Sequence, residues 1–342
     1  MHIGMNWAAI LIAGAAIAGV GACPALGACQ LQTIAEYHIT MEGNQPLVDA
    51  SINGHPVRFL VDMGSAATIV SRPAAAELGL TLRRMNGVDM YGVGGGDVAD
   101  EANIRELKLG NSVVHDVDLM VTGQGLKSRE YVGLLGQNFL SQTDLEFDFA
   151  NDVMRLFKAH DCAGDQVVYW GKAYSMVPIS PSPSTGVLEI EVLLNGRRIL
   201  AQVDSGASHS VVTPGAAESA GVTLHSAGVR SVGASSGMGA KSVQTFVAVF
   251  PTFSVGDETI KNVRLEIADL FGEDRDIPIN SRIPRKLLGF PQMLLGADFI
   301  KAHRIYVARS QGKVYFSYNG GPIFQAPEAK QVAPIAPPPP NP

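Results

Sequence analysis

Two aspartates, Asp62 and Asp204, each stand at the end of an apolar run and open the triplets Asp62-Met63-Gly64 and Asp204-Ser205-Gly206. A carboxylate at the end of a buried strand is costly to ionise unless something compensates it. Two such groups sharing one site form a general acid–base couple, because repulsion leaves one proton between them: one carboxyl donates while the other accepts. The two acids are 142 positions apart (204 − 62), and the surroundings of one repeat around the other.

The elements that must position them repeat as well. Asn53-Gly54 precedes Asp62 and Asn195-Gly196 precedes Asp204, each by the same interval. Asn-Gly suits a two-residue hairpin turn, in which both central residues need φ > 0. The segments Val57 to Val61 and Ile199 to Val203 then read as strands running from the turn into the acid. Downstream of each acid comes a short Ala-rich helix led by proline, Pro73 to Gly79 and Pro214 to Gly221. A glycine-rich stretch follows in each copy, Tyr91-Gly92-Val93-Gly94-Gly95-Gly96 and Ser231-Val232-Gly233-Ala234-Ser235-Ser236-Gly237, as expected of a hairpin tip lying close over a ligand. The turn pairs Gly110-Asn111 and Gly256-Asp257 come next. The apolar segments Val132 to Leu140 and Gln292 to Ile300, with Gly136 and Gly296 at matching places, close the copies. The second copy is the longer, mostly through a Pro- and Arg-rich stretch between Gly272 and Pro291.

An apolar strand ending in Asp-Ser/Thr-Gly, a glycine-rich flap and a later apolar-apolar-Gly-x-x-Phe segment together resemble the aspartic proteases. The likeness is to their retropepsin-like (retroviral-type) branch, with two lobes in one chain. It spans roughly residues 40 to 320. The resemblance implies an all-β fold of two homologous β-barrel lobes with a cleft between them: a first lobe at 38–160, a linker at 161–174 and a second lobe at 175–325. It also implies catalysis by Asp62 and Asp204, with Gly64, Ser65, Ser205 and Gly206 supporting the dyad. Tyr91, Gly92, Gly94, Gly233 and Ser235 are the implied flap positions over an extended peptide. The activity implied is an aspartic endopeptidase in which a water between the two acids attacks the scissile carbonyl. Because both acids lie in one chain, a monomer suffices.

One position departs from the family pattern. Met63 stands where a Thr or Ser hydroxyl would clamp the two loops, which leaves a catalytically inactive peptide-binding protein on the same fold as the alternative. Ser65 follows Asp62 by three residues while Ala207 occupies the equivalent place after Asp204. A hydroxyl donated from Ser65 would favour the charged form of Asp62 and leave the proton on Asp204.

Composition bounds the remaining possibilities. The chain has 342 residues, 46% of them hydrophobic and 17% charged, with net charge −6. That is enough for two lobes of ordinary domain size, and no basic stripe suggests nucleic acid as a partner. The eight histidines are scattered, with neither H-E-x-x-H nor Cys-x-x-Cys, so neither metal nor cofactor is expected. Gly233-Ala234-Ser235-Ser236-Gly237 fits the nucleophile-elbow pattern, but an elbow joins a strand to a helix, and Val243 to Val249 reads as β. A flap tip is the better reading.

The ends suggest export. Trp7 to Val20 is an apolar, small-residue run too short to span a bilayer and suited to a signal peptide over 1–28. Cys23 and Cys29 each follow a lipobox-like Gly-Ala, so a lipidated cysteine could tether the chain to a membrane. A disulfide between Cys29 and Cys162, permitted in an exported protein, is the alternative. The tail from 326 to 342, ending in four prolines before Asn341, reads as disordered.

Overall fold

The computed structural model describes residues 29–123, 126, 128–181, 186–270 and 291–324. The expectations for the leader at 1–28, the second-copy insertion at 272–290 and the tail from 326 therefore lie outside the described residues.

The first half contains β1 (Gln30–Glu42), β2 (Gln45–Ile52), β3 (His55–Val61), β4 (Ile69–Ser71), α1 (Arg72–Glu77), β5 (Leu82–Gly92), β6 (Gly95–Leu109), β7 (Ser112–Thr122), β8 (Gly133–Leu135), α2 (Gln137–Leu140), β9 (Asp144–Asp148) and β10 (Val153–His160). The second half contains β11 (Ser175–Pro178), β12 (Glu189–Leu194), β13 (Arg197–Val203), β14 (Val211–Val212), α3 (Pro214–Ser219), β15 (Arg230–Ser235), β16 (Val243–Val255), β17 (Glu258–Ala268), β18 (Met293–Leu295), α4 (Ala297–Ile300), β19 (His303–Ala308) and β20 (Lys313–Tyr318).

Strand order makes the duplication explicit. The first lobe runs β2-β3-β8-β4-β7-β6-β5 and is closed by pairing of β2 with β6; the second runs β12-β13-β18-β14-β17-β16-β15 and is closed by β12 with β16. Closure leaves β5 and β15 as the outermost strand of each lobe. Between the lobes lies β11-β20-β19-β9-β10-β1, an order in which the two halves mirror each other about the β19–β9 pair. The fold is thus all-β, with two barrel-like lobes joined by a shared sheet.

Local chemistry explains the punctuation. Asn53 and Gly54 have φ of 50° and 83°, and Asn195 and Gly196 have 49° and 76°, the left-handed pair that a two-residue hairpin requires. Ser71 and Thr213 cap α1 and α3 by accepting the N–H of Ala74 and Ala216, with proline in the first turn, where its missing N–H costs nothing. Phe253, Phe299, Phe316 and Phe324 pack edge-on and stacked in the second-lobe core. Each fully buried phenylalanine contributes about 1.5–3 kcal/mol.

Three features differ from expectation. β1 begins at Gln30, ahead of the expected lobe start, and pairs with β10 before it turns to β2. The segment expected as a linker is packed: Val167 and Val168 are buried with Phe157, Tyr306 and Tyr315, and the Arg304 guanidinium lies 4.6 Å over the Trp170 ring. Asp144, Asp148 and Asp298 are all buried, although aspartate is ordinarily a surface residue. Asp144 accepts Ser310 N–H at 2.9 Å and Ser310 Oγ–H at 2.6 Å, while Asp148 lies 3.4 Å from Arg304. They are interior groups tying strands together, a role invisible without knowing which strands meet.

Cys29 is joined to Cys162 in a disulfide, so of the two alternatives for its sulfur the bridge is the one formed. Cys23 lies outside the described residues. Among the described residues, no helix is long and apolar enough to cross a membrane.

Candidate active site

Each aspartate leaves its strand where that strand runs parallel to a later one. β3 pairs with β8 and β13 with β18, and the acids continue the ladders: Asp62 N–H donates to Leu135 O at 3.0 Å and Asp204 N–H to Leu295 O at 2.9 Å. The returning loop is pinned in both lobes by a hydroxyl. Thr68 Oγ accepts from Gly136 N–H and donates to Asn138; Ser210 Oγ accepts from Gly296 N–H and donates to Asp298. The glycines are required by close approach. A Cβ on Gly296 would stand 2.6 Å from the His209 carbonyl carbon.

The two loops meet with their carboxyls face to face. Asp62 Oδ1 accepts the N–H of Gly64 at 2.8 Å and of Ser65 at 3.0 Å; Asp204 Oδ1 accepts those of Gly206 at 2.9 Å and Ala207 at 3.0 Å. The glycines are reciprocal. A Cβ on Gly64 would be 2.5 Å from Asp204 Oδ1, and one on Gly206 would be 2.5 Å from Asp62 Cγ. Each acid therefore lies over the glycine of the other triplet, and both sit at the floor of a cleft of about 800 Å³.

Burial pushes both carboxyls above the ordinary range. For Asp62 the negative charge of Asp204 and the hydrogen bond between the acids push further, whereas for Asp204 that bond pulls back down; two backbone donors lower each acid alike. These causes favour the shared proton on Asp62, although the titration belongs to the pair. The hydroxyl expected to favour a charged Asp62 is turned away: Ser65 Oγ–H donates to Ala67 O at 2.8 Å, and the Ser65 backbone N–H, not its side chain, serves Asp62.

Met63 does not leave the first loop unclamped. Ser205 Oγ accepts Met63 N–H at 3.0 Å and donates to Val61 O at 2.7 Å, so one hydroxyl from the second lobe bridges two backbone groups of the first. Gln137 Nε2 donates to Met63 O at 2.7 Å and is itself held by Arg309 at 2.6 Å; Gln202 Nε2 donates to Gly64 O at 3.0 Å. The Met63 side chain is fully buried in the main core.

Comparison with known proteins gives the same reading lobe by lobe. Residues 48–142 match the family described as "gag-polyprotein putative aspartyl protease", and residues 190–299 match the family described as "Aspartyl protease". The chain belongs to the retropepsin-like aspartic protease family. It is 32% identical over 112 residues to DNA damage-inducible protein 1 of Kluyveromyces lactis, a match covering 32% of this chain and 25% of that protein. The chain thus spans about a quarter of that relative's length. Among solved structures, the aspartic proteinase from Irpex lacteus aligns over 85% of this chain and 97% of its own, at 12% identity and a TM-score of 0.46.

This retropepsin-like chain carries two flaps, and they touch. The β5–β6 hairpin turns at Val93-Gly94, with Gly94 at φ 88°. Its tip is bonded to the segment between β15 and β16: Gly239 N–H donates to Val93 O and Lys241 N–H to Gly94 O, each at 3.0 Å. A Cβ on Gly94 would collide with Lys241 O. The tips cross. Met238 of the second flap is buried among Leu47, Leu60, Ile69 and Leu134 of the first lobe, and Val93 of the first packs on Val211, Leu270 and Leu294 of the second.

Of the expected flap positions, Tyr91, Gly92 and Ser235 line the cleft. Tyr91 is 40% exposed, and its ring leaves no room for a side chain at Gly96. Gly94 forms the flap-to-flap contact, and Gly233, at φ 110°, sits at an irregularity in the β15–β16 register. Sequence reasoning missed Tyr131, Gln202, Met238 and Glu266, all of which line the cleft. Burial raises the Tyr131 hydroxyl, its hydrogen bond with Gln45 lowers it, and the charge of nearby Asp62 raises it further. Pairing the two copies position by position would have exposed the Met120–Glu266 difference.

Proposed function

We propose that this protein is an aspartic endopeptidase in which Asp62 and Asp204 activate a water against a peptide bond. The observation that carries the reading is the reciprocal dyad: two buried carboxyls, each over the glycine of the opposite triplet, at the base of a cleft roofed by two flaps. The Asp204 carboxylate takes a proton from the water while Asp62 donates its proton to the scissile carbonyl oxygen. The product is a tetrahedral diol, reached without a covalent enzyme intermediate. Asp204 then gives its proton to the departing amine while one diol hydroxyl returns a proton to Asp62 and the C–N bond breaks, leaving a carboxylic acid, an amine and a dyad with one proton.

The flaps must part to admit substrate. Their mutual hydrogen bonds are backbone groups that an extended peptide can replace, since added strands bind through main-chain pairing. Export is part of the same proposal, supported by the Cys29–Cys162 bridge, because such bonds persist in oxidising compartments.

The experiment is hydrolysis of casein and of a fluorogenic peptide library between pH 3 and 7, with and without a statine-type transition-state analogue. The reading requires cleavage that the analogue abolishes. Peptide binding with no cleavage at any pH would instead establish the inactive peptide-binding protein that Met63 raises as the alternative.

A further inference from the structure

The two sides of the cleft are built from equivalent positions with different chemistry. In the first lobe, Leu47, Leu60, Ile69, Met120 and Leu134 form one apolar cluster. The strand pairings fix their counterparts: Leu47 opposite Leu60 becomes Glu189 opposite Gln202, and Met120 beside Ile69 becomes Glu266 beside Val211. Leu134 opposite Ile69 becomes Leu294 opposite Val211. Glu189, Gln202 and Glu266 all line the cleft, and among its described lining residues none is Lys or Arg. Val211, Leu270 and Leu294 keep an apolar wall beside the acids.

We propose that Glu266, with Glu189 beside the same wall, makes the second-lobe side of the cleft a subsite for a Lys or Arg side chain, while the first-lobe side takes an apolar one. A long basic side chain lays its alkyl stem on apolar surface and presents its charge at the end, which matches an apolar wall ending in carboxylates. Successive side chains of an extended peptide point to opposite sides, so the residues flanking the scissile bond enter opposite lobes. Met238, an unbranched apolar side chain, already occupies the first-lobe side. The peptide preferred is therefore apolar on one side of the cleaved bond and basic on the other. The inference rests on the cleft being a peptide channel.

Charge on Glu266 is available near neutrality. Burial, and after it the charge of Asp298, hold its carboxyl at about 7. The charge that acts on it is that of Asp298 on α4, which in turn feels His209 of the active-site loop. A bound ammonium favours the carboxylate and displaces the proton, so preference for Lys strengthens as pH rises towards 7.

The test uses peptides carrying Met, Lys or Glu at each position flanking the cleaved bond, followed by mass spectrometry, on the full-length protein and its Glu266→Gln and Glu266→Met variants. The wild type should favour Lys over Glu at one position by about 10- to 100-fold, the scale of a charge-assisted hydrogen bond, and both variants should collapse that ratio. Glu266→Met should make Met the preferred residue there. Glu266→Asp should restore part of the Lys preference, which a merely structural acid would not do. In parallel, fluorescence anisotropy of the same peptides on Asp62→Asn reads the subsite without hydrolysis. Lys-dependent binding lost in Glu266→Gln, with no cleavage by the wild type, upholds the subsite and removes the protease reading. Equal handling of Lys, Met and Glu, a ratio unchanged in Glu266→Gln, or no binding of any peptide overturns the subsite.

Discussion

The two lobes share one strand order and one active-site loop, yet they differ in who holds whom. The second loop supplies Ser205, whose hydroxyl bridges Met63 N–H and Val61 O across the axis; the first loop supplies Met63, which offers no hydroxyl in return and buries its thioether instead. Backbone donors to the acids are matched almost to the tenth of an ångström, at 2.8 and 3.0 Å in one lobe and 2.9 and 3.0 Å in the other. The difference teaches that the dyad depends on the duplicated backbone and its glycines, while the side chains around it have been free to specialise. Where the first loop has no hydroxyl, Gln137, held by Arg309, and Gln202 bind its Met63 and Gly64 carbonyls, and none of the three belongs to the Asp-x-Gly motif.

The comparison can be broken most severely at the glycines. Gly206→Ala places a methyl against the Asp62 carboxyl and should lower kcat/KM by about 10²-fold or more, since displacements near an ångström cost that much. Gly64→Ala should do the same against Asp204. A peptide assay in which either alanine variant keeps wild-type kcat/KM would mean that the two acids do not face each other across these loops.

The clamp gives a smaller effect. Ser205→Ala strands a buried N–H and a buried carbonyl, and denaturant unfolding should show a loss of about 2–3 kcal/mol. An equal midpoint and slope for variant and wild type would show that the bridge carries no weight. Met63→Thr restores the family hydroxyl but forfeits burial of the thioether, worth about 1.5–3 kcal/mol, against about 1 kcal/mol for a new hydrogen bond. A net loss near 1 kcal/mol is expected. A gain in stability would show that the first lobe does lack its clamp.

Protonation provides the last and finest contrast. Because burial raises both carboxyls and their repulsion raises the second ionisation further, the alkaline limb of kcat/KM, where the pair loses its last proton, should lie above the ordinary aspartate value of about 3.9. A limb at or below that value would contradict the buried dyad. The same shift has a stability consequence. A carboxyl whose folded pKa exceeds its unfolded one stabilises the fold fully only below the unfolded value, and that contribution is lost as pH rises through the folded one. Asp62→Asn should therefore melt above wild type near pH 7, with the gap closing below about pH 4; a wild type that melts higher at pH 7 would reverse the sign.

Much of this was legible in the sequence because it is local. Asn-Gly turns, the Pro-led helices, the strand into each acid and the glycine-rich tips follow from backbone requirements a few residues long. The acids themselves stood out because a repeat marks them. What was not legible depends on which distant segments meet. Ser65 was expected to serve Asp62 by its hydroxyl, but Ala67 O lies closer to hand. Asp144 and Asp148 became interior through β19 and the residues that follow it, and the flaps crossed so that Met238 covers the opposite lobe. No spacing within one copy reports a contact between copies.

The central claim is that Asp62 and Asp204 act as one unit on a shared proton. Its most direct measurement is kcat/KM of Asp62→Asn and of Asp204→Asn on one fluorogenic peptide, each variant first shown by circular dichroism to be folded. Either substitution alone should remove at least about 10³-fold of activity, and the double variant should lose little more, because residues acting as a unit are not additive. Turnover within about tenfold of wild type in either single variant, or losses that multiply in the double one, would contradict a shared-proton dyad.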